Sequence, residues 1–297
     1  MEEYSLHNYP YIPNDSPTSC SICGSFEVEY RKIEKNELEL NQPEILKIKL
    51  CLACGHAVRV EDRDLKTNLS IQQDIFDKTL MMPKMSHTRW PRRKALIALE
   101  IDRITQKTRG NALDIGCNTG LWLASLDKGW KKYGVELSVG AAEIARRFAK
   151  AEVYCGPIES FHADLGSFDL ITAFALIEHI SDPRGMIKWA YEHLKPGGLL
   201  VLMTGDRESW TAQQMGYNWP LYWPVEHVSF FSARSLCKLV EDCGFQVVRK
   251  EWRLLYTISG RISPLSRIII KAREILRMLD RPIDDLFYCY AKKIGDS

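Results

Sequence analysis

Two groups of residues in this chain have the types and spacing to do chemistry. The first is Cys20-Ser21-Ile22-Cys23 with Cys51-Leu52-Ala53-Cys54, each pair followed by a glycine, Gly24 and Gly55, where the chain must fold back around an ion. Two such knuckles offer four thiolates, which suits tetrahedral zinc and reads as a zinc ribbon, with Ser25 to Ile33 and Leu46 to Leu50 as strands between them. Sulfur would fill every coordination position, so the metal would hold no water and serve folding, not catalysis. An iron–sulfur site, or reduced cysteines without metal, are the other readings of this spacing. His56 lies beside the second knuckle and suits a supporting role better than a fifth ligand.

The second group is Ala112-Leu113-Asp114-Ile115-Gly116-Cys117-Asn118-Thr119-Gly120, an apolar strand that breaks into small residues before a predicted helix. Gly116 and Gly120 would let the backbone approach a ligand that a Cβ would push away, and a helix from Gly120 would point its N–H groups there. Glu136 closes the next apolar stretch, Tyr133-Gly134-Val135, and is placed to hold a ribose diol, as an acid does about 20 residues downstream in dinucleotide folds. No Gly-Lys-Ser/Thr follows, which excludes a P-loop, and the Gly116-x3-Gly120 spacing lacks the close triplet of a dinucleotide turn. A tight turn in an ordinary α/β sheet remains the bland reading.

The elements that must position these groups follow in order. Phe168 to Ala173 reads as a fourth strand, Ala175 to Pro183, containing Glu178-His179, as the loop after it, and Leu194-Lys195-Pro196-Gly197-Gly198 as a turn into the strand Leu199 to Met203. From Gly110 to Lys293 the chain resembles class I S-adenosylmethionine-dependent methyltransferases of the group with a Glu-His pair after strand four. That resemblance implies an α/β, Rossmann-like seven-stranded sheet with an antiparallel last strand, read at Asp284 to Lys293. It implies S-adenosylmethionine contacts at Asp114, Gly116, Cys117, Asn118, Gly120, Glu136, Leu137, Ile158 and Ala173. Two positions depart from the pattern. Asn118 stands where glycine is usual and tolerates a left-handed backbone, and Pro157 stands where an acid often meets the adenine amino group.

Methyl transfer is an in-line displacement that needs the acceptor within about 3–3.5 Å and a base for its proton. Histidine is the natural base near neutral pH. His227 and His179 are the two candidates, with Glu178 orienting a ligand or a neighbour. The segment Thr204 to His227 should recognise the acceptor, because Trp210, Tyr217, Trp219, Tyr222 and Trp223 could line an apolar wall, unless they only pack the loop. The pattern Trp219, Glu226-His227, Phe230-Phe231-Ser232, then a helix to Cys243-Gly244-Phe245, is similar to a bacterial subfamily in which a zinc ribbon precedes the methyltransferase. That resemblance implies acceptors such as nucleotide-linked sugars, glycan lipids or other glycan precursors, with O-methylation favoured over C-methylation by the end of the chain at Ser297.

At 297 residues, 45% hydrophobic and net charge +2, the chain can bury one large domain and a small one. The expected division is a ribbon at 1–60, a helical connector at 61–109 and a methyltransferase domain at 110–297. In the connector a helix from Pro91 to Gln106 carries Leu96, Ile97, Leu99, Ile101 and Ile104 near helical spacing. A helical insertion at 253–281 mixes isoleucines with arginines and is compatible with peripheral contact at the inner membrane surface, a lid, or packing on the domain. No apolar run of about 18 residues and no signal-peptide pattern occurs, and nine cysteines, an odd total of which four have metal spacing, argue for the cytoplasm. An RNA methyltransferase using the ribbon and basic connector is the main competitor, against which the modest charge argues, and a non-catalytic S-adenosylmethionine-fold binding protein is the other.

Overall fold

The computed structural model describes residues 19–35, 44–60, 90–106, 109–164, 166–253 and 285–294. Most of the connector before the helix, and the insertion at 254–281, lie outside these residues. In chain order the strands are β1 (Val28–Lys35), β2 (Glu44–Cys51), β3 (Ala57–Arg59), β4 (Asn111–Ile115), β5 (Lys131–Glu136), β6 (Glu152–Cys155), β7 (Phe168–Phe174), β8 (Leu194–Gly205), β9 (Ser229–Phe230), β10 (Phe245–Arg253) and β11 (Leu286–Lys293). The helices are α1 (Trp90–Ile104), α2 (Val139–Ala149), α3 (Pro183–His193), α4 (Trp210–Met215) and α5 (Ala233–Asp242). Among the described residues no helix is long and apolar enough to cross a membrane.

The chain divides into two compact units built from separated stretches, residues 1–61, 204–238 and 250–288 in one and 62–203, 239–249 and 289–297 in the other. Residues 204–238, expected within the 110–297 domain, therefore group with the ribbon. The physical reason is strand pairing: β1, β2, β3 and β9 form one antiparallel sheet in that order, with Ala57 opposite Phe230 and Val58 opposite Ser229.

Alternation along β2 buries Leu46, Ile48 and Leu50 and leaves Ile45 in solvent, as a strand with one covered face requires. What covers that face is Trp219, Tyr222 and Phe230, which form a single core with Ile33, Leu46, Ile48, Leu50 and Ala57. Trp219 is 1% exposed, and its indole N–H donates to Asp285 Oδ2 at 3.0 Å, which removes the penalty of burying a polar tip. Of the aromatic residues after β8, Trp219 and Tyr222 thus pack the protein, with Tyr217 and Trp223 against the same core.

The second unit holds the seven-stranded sheet, apart from the ends of β8, β10 and β11. Its order is β10-β11-β8-β7-β4-β5-β6, with β8-β7-β4-β5-β6 parallel and the last strand antiparallel as expected. Phe168 pairs with Leu194 and Leu170 with Leu199, so Lys195 to Gly198 loop out as an irregularity inside β8 instead of preceding it. Ser138 caps α2 and Asp182 caps α3, whose first residue is Pro183. On α1, Ile97 and Ile101 are fully buried while Leu96 and Leu99 face solvent, so the apolar stripe is narrower than expected.

Truncating Trp219 to alanine should destabilise the ribbon unit by about 3–5 kcal/mol, the range for a large core aromatic. Denaturant unfolding followed by metal release would measure this, and a change within the range of surface substitutions would show that the sheet does not rest on the indole.

Candidate functional site

At the carboxyl edge of the large sheet, the β4 loop is held by short-range bonds. Gly116 N and Cys117 N both donate to Val135 O, at 2.8 and 3.0 Å. Gly116 has φ +72°, and a Cβ there would lie 3.0 Å from Leu176 Cδ1. Asn118 takes φ +48° and its side-chain oxygen accepts from Thr119 N at 2.6 Å, the left-handed tolerance expected of it. Glu136 is fixed by two backbone donors, Asn118 N to Oε2 at 2.8 Å and Ser138 N to Oε1 at 2.9 Å. A carboxylate oxygen accepts two hydrogen bonds, so this anchoring is compatible with a ribose diol.

Gly120 differs from its expected use. A Cβ there would lie 2.9 Å from Ala149 Cβ and 3.0 Å from Ala145, so the close packing of α2 sets its size. The stretch after it is a 3-10 turn at Leu123–Ser125, not the start of an α-helix. Similarly, Gly134 leaves space for Cys117, whose Sγ would sit 2.6 Å from an added Cβ. Leu137 is half-buried between Glu136 and Ser138, Ala173 is fully buried in β7, and Ile158 is buried at the start of a 3-10 turn after Pro157. These residues share the ends of four adjacent strands, β6, β5, β4 and β7.

Beneath the loop, Asp114 is buried and accepts from Thr172 Oγ1 at 2.6 Å, while Trp122 Nε1 donates to the same hydroxyl at 3.1 Å. Burial pushes the Asp114 carboxyl up to about 7, opposed by the Thr172 hydrogen bond and reinforced by Glu136. Neither Thr172 nor Ala175 stood out in the sequence. Ala175, directly after β7, has φ +50° with its N–H donating to Met203 O at 2.9 Å, an uncommon conformation for alanine that tends to mark ligand edges. Glu178 and His179 follow on a 3-10 turn, Glu178 buried and His179 half-buried, with His179 N donating to Leu176 O at 2.8 Å.

In the other unit the two cysteine knuckles are near copies. Gly24 N bonds Cys20 O and Gly55 N bonds Cys51 O, each at 2.9 Å, with the glycines at φ +73° and +74°. Cys20 and Cys54 sulfurs lie 3.6 Å apart, as do those of Cys23 and Cys51, and all four sulfurs lie within 4.8 Å of one another. A tetrahedron with zinc–sulfur bonds of about 2.3 Å has edges of about 3.8 Å, so the donor set fits the metal. The Cys20–Cys54 hydrogen bond pulls the Cys20 thiol down to about 5 and pushes the Cys54 thiol up, as two sulfurs sharing one proton must. His56 is not part of this group. Its ring is buried 4.7 Å from Phe231, and burial, with Arg207 and Lys49 nearby, pushes its pKa down to about 3.

The outer face of the second knuckle is bonded to the segment after β8. Arg234 Nη1 donates to Ala53 O at 2.7 Å, Ser232 Oγ to Cys54 O at 2.9 Å and Arg207 Nη1 to Gly55 O at 2.8 Å. His227 lies in the same segment and is 8% exposed. Its backbone N–H closes a turn on Pro224 O at 3.0 Å, and its Nδ1 lies 2.8 Å from Leu221 O. A carbonyl only accepts, so Nδ1 carries the proton and Nε2 is the acceptor atom of the neutral ring. Of the expected catalytic residues, Glu178 and His179 belong to the unit of the cofactor loop and His227 to the unit of the ribbon.

This sheet, with its glycine-bounded loop and the acid closing β5, defines a Rossmann-like nucleotide-binding protein. A family model described as a methyltransferase domain matches residues 89–250. The chain belongs to that family, the class I S-adenosylmethionine-dependent methyltransferases. Among relatives, the ubiquinone biosynthesis O-methyltransferase of Coxiella burnetii is 36% identical over 111 residues, 35% of this chain and 47% of that protein. The enzyme of the same name from Idiomarina loihiensis is 26% identical over 178 residues, 55% of this chain and 70% of that protein. The chain thus spans about half the length of the Coxiella relative. The fold is shared with the N-methyltransferase NodS of Bradyrhizobium japonicum, solved with S-adenosyl-L-homocysteine, at a TM-score of 0.53 and 14% identity over 75% of this chain and 99% of that one. It is shared equally with an S-adenosylmethionine-dependent methyltransferase of Thermotoga maritima, at a TM-score of 0.51 and 22% identity over 76% and 99%.

An acid whose folded pKa stands above its unfolded value of 3.8 binds a proton on folding, so the stability contributed by Asp114 falls as pH rises through about 4 to 7. Asp114→Asn should therefore stabilise the cofactor-free protein at pH 8 and leave it nearly unchanged at pH 4. Paired melting curves check this, and equal shifts at both pH values would contradict it.

Proposed function

We propose that the protein transfers the methyl group of S-adenosylmethionine to a hydroxyl oxygen of a small-molecule acceptor, in the cytoplasm, with His227 as general base. The observation that carries this is the Nδ1 contact to Leu221 O, which orients the imidazole and, in its neutral form, makes Nε2 the proton-accepting atom. S-adenosylmethionine supplies a methyl already activated on a sulfonium. Among the residues of this chain, Glu136 would hold its ribose, Gly116 and Asn118 would shape the loop around it, and Ile158 would lie against its adenine. His227 Nε2 would take the proton of the acceptor hydroxyl as that oxygen receives the methyl. His179 is the second candidate for the base, with Glu178 orienting it or the ligand.

For the acceptor we favour a sugar or glycan precursor, on the resemblance of the ribbon and the Glu226-His227 region to enzymes of that kind. An acceptor from ubiquinone biosynthesis is the second reading, favoured by the names of the Coxiella and Idiomarina relatives. Incubating methyl-labelled S-adenosylmethionine and the protein with a nucleotide-linked deoxysugar, a catechol, and host extract separated into RNA, protein, lipid and small-molecule fractions distinguishes them. Label confined to RNA would overturn both.

His227→Ala should lower turnover by about 10²–10⁴-fold, the usual contribution of a positioned base, with S-adenosylmethionine affinity nearly unchanged. Equal losses of rate and cofactor binding would remove the base assignment, and a rate lost only in His179→Ala would transfer it to His179. We also assign one structural zinc to Cys20, Cys23, Cys51 and Cys54. Elemental analysis should find one zinc per chain in the wild type and none in a variant with Cys51 and Cys54 changed to serine. Zinc retained by that variant would refute the four-sulfur site.

A further inference from the structure

The turn that carries His227 is not held by its own residues alone. Arg59, the last residue of β3, lies five positions after Cys54, and its guanidinium reaches three carbonyls of this turn. Nε donates to His227 O at 2.9 Å, and Nη2 donates to Tyr222 O at 2.8 Å and to Pro224 O at 3.1 Å. The backbone joins the same contact, with Arg59 N donating to Val228 O at 2.9 Å. Its guanidinium carbon also stands 5.9 Å from the centre of the Phe230 ring, the next aromatic after the turn.

We propose that Arg59 is a positioning residue for the imidazole of His227, the path by which the cysteine ribbon orients the acceptor-side base. The proposal rests on the reading of His227 as base. Three carbonyls of a loop that point at one planar cation cannot move independently, because the guanidinium offers donors in a fixed fork. Leu221, whose carbonyl sets the tautomer of the His227 ring, immediately precedes Tyr222, the first residue in the fork. The fork therefore clamps the turn on both sides of the ring's own hydrogen bond. Lysine would supply a point charge and cannot hold all three carbonyls in one plane.

The ribbon's knuckles are what hold Arg59 in place. β3 begins three residues after Cys54 and pairs with both β2 and β9, and the knuckle carbonyls at Ala53, Cys54 and Gly55 are bonded to residues on either side of the turn. The metal needs no contact with acceptor or cofactor for this to operate. Its part is to keep Cys51 and Cys54, and hence β3, in register.

The test is nuclear magnetic resonance of the full chain labelled with ¹⁵N-histidine and bound to S-adenosylmethionine, with His227→Asn used to assign the ring signals. Wild type should show His227 as a single Nδ1–H tautomer. Arg59→Ala should show that ring averaged between tautomers, with zinc content and S-adenosylmethionine affinity unchanged, and Arg59→Lys should fall between. Label transfer in the extract assay should drop about 10²-fold in Arg59→Ala, the scale of a misplacement near 1 Å. An unchanged His227 tautomer in Arg59→Ala, or in Arg59→Lys should the alanine variant lose zinc, overturns the proposal. His227→Ala retaining full label transfer overturns the base reading instead, and the ring signal tells the two failures apart.

Discussion

A sheet of three short strands has an apolar face that it cannot cover by itself. In this protein β1, β2 and β3 present Ile33, Leu46, Ile48, Leu50 and Ala57 on one side, and nothing in the ribbon's own described residues closes over them. A metal ties two knuckles together but shields no strand from water, and domains of this size need more than a staple. The missing layer comes from the chain more than a hundred residues later, as Trp219, Tyr222 and Phe230. The grouping of residues 204–238 with the ribbon follows from that need.

The same reasoning accounts for the polar side of this arrangement. A cysteine knuckle turns backbone N–H groups toward sulfur, as Ile22 N does toward Cys20 at 3.4 Å and Cys54 N toward Cys51 at 3.5 Å. Its carbonyls must then find donors elsewhere, because a buried backbone acceptor left unmade is expensive. Around the second knuckle these donors are Arg207, Ser232 and Arg234, all from the segment that also supplies the aromatic layer. Apolar cover and polar satisfaction come from one stretch of chain, so neither can form without the other.

Where structure follows from nearby residues, the sequence was readable. The cysteine spacing, the glycine after each knuckle and the apolar runs of β4, β5 and β7 all act within a few residues of themselves. The family resemblance added the seven-stranded sheet with its antiparallel last strand. What stayed hidden depends on distant partners. Trp219 and Tyr222 have the chemistry to stack on a ligand or to fill a core, and only the pairing of β3 with a two-residue strand decides between these uses. Two residues have no period to read. Gly120 reads as a glycine for ligand approach, and nothing local tells that Ala145 and Ala149 on α2 already require it to lack a side chain. Thr172 sits among Leu170, Ile171, Ala173 and Phe174 of β7, and nothing local ties its hydroxyl to Asp114.

The way His227 is oriented bears on its proposed role in proton transfer, because the partner of Nδ1 is the neutral carbonyl of Leu221. Nδ1 is a donor in the neutral ring of this tautomer and also in the imidazolium, so the hydrogen bond is kept when Nε2 gains a proton. In the proposed transfer the Nδ1 donor therefore keeps its place. A base whose anchoring is the same before and after the step avoids the reorganisation that raises barriers in water. The requirement then shifts to the turn itself, since a carbonyl can orient the ring only as well as its own backbone is held, and that backbone is bonded through Tyr222, Pro224 and His227 to a single arginine.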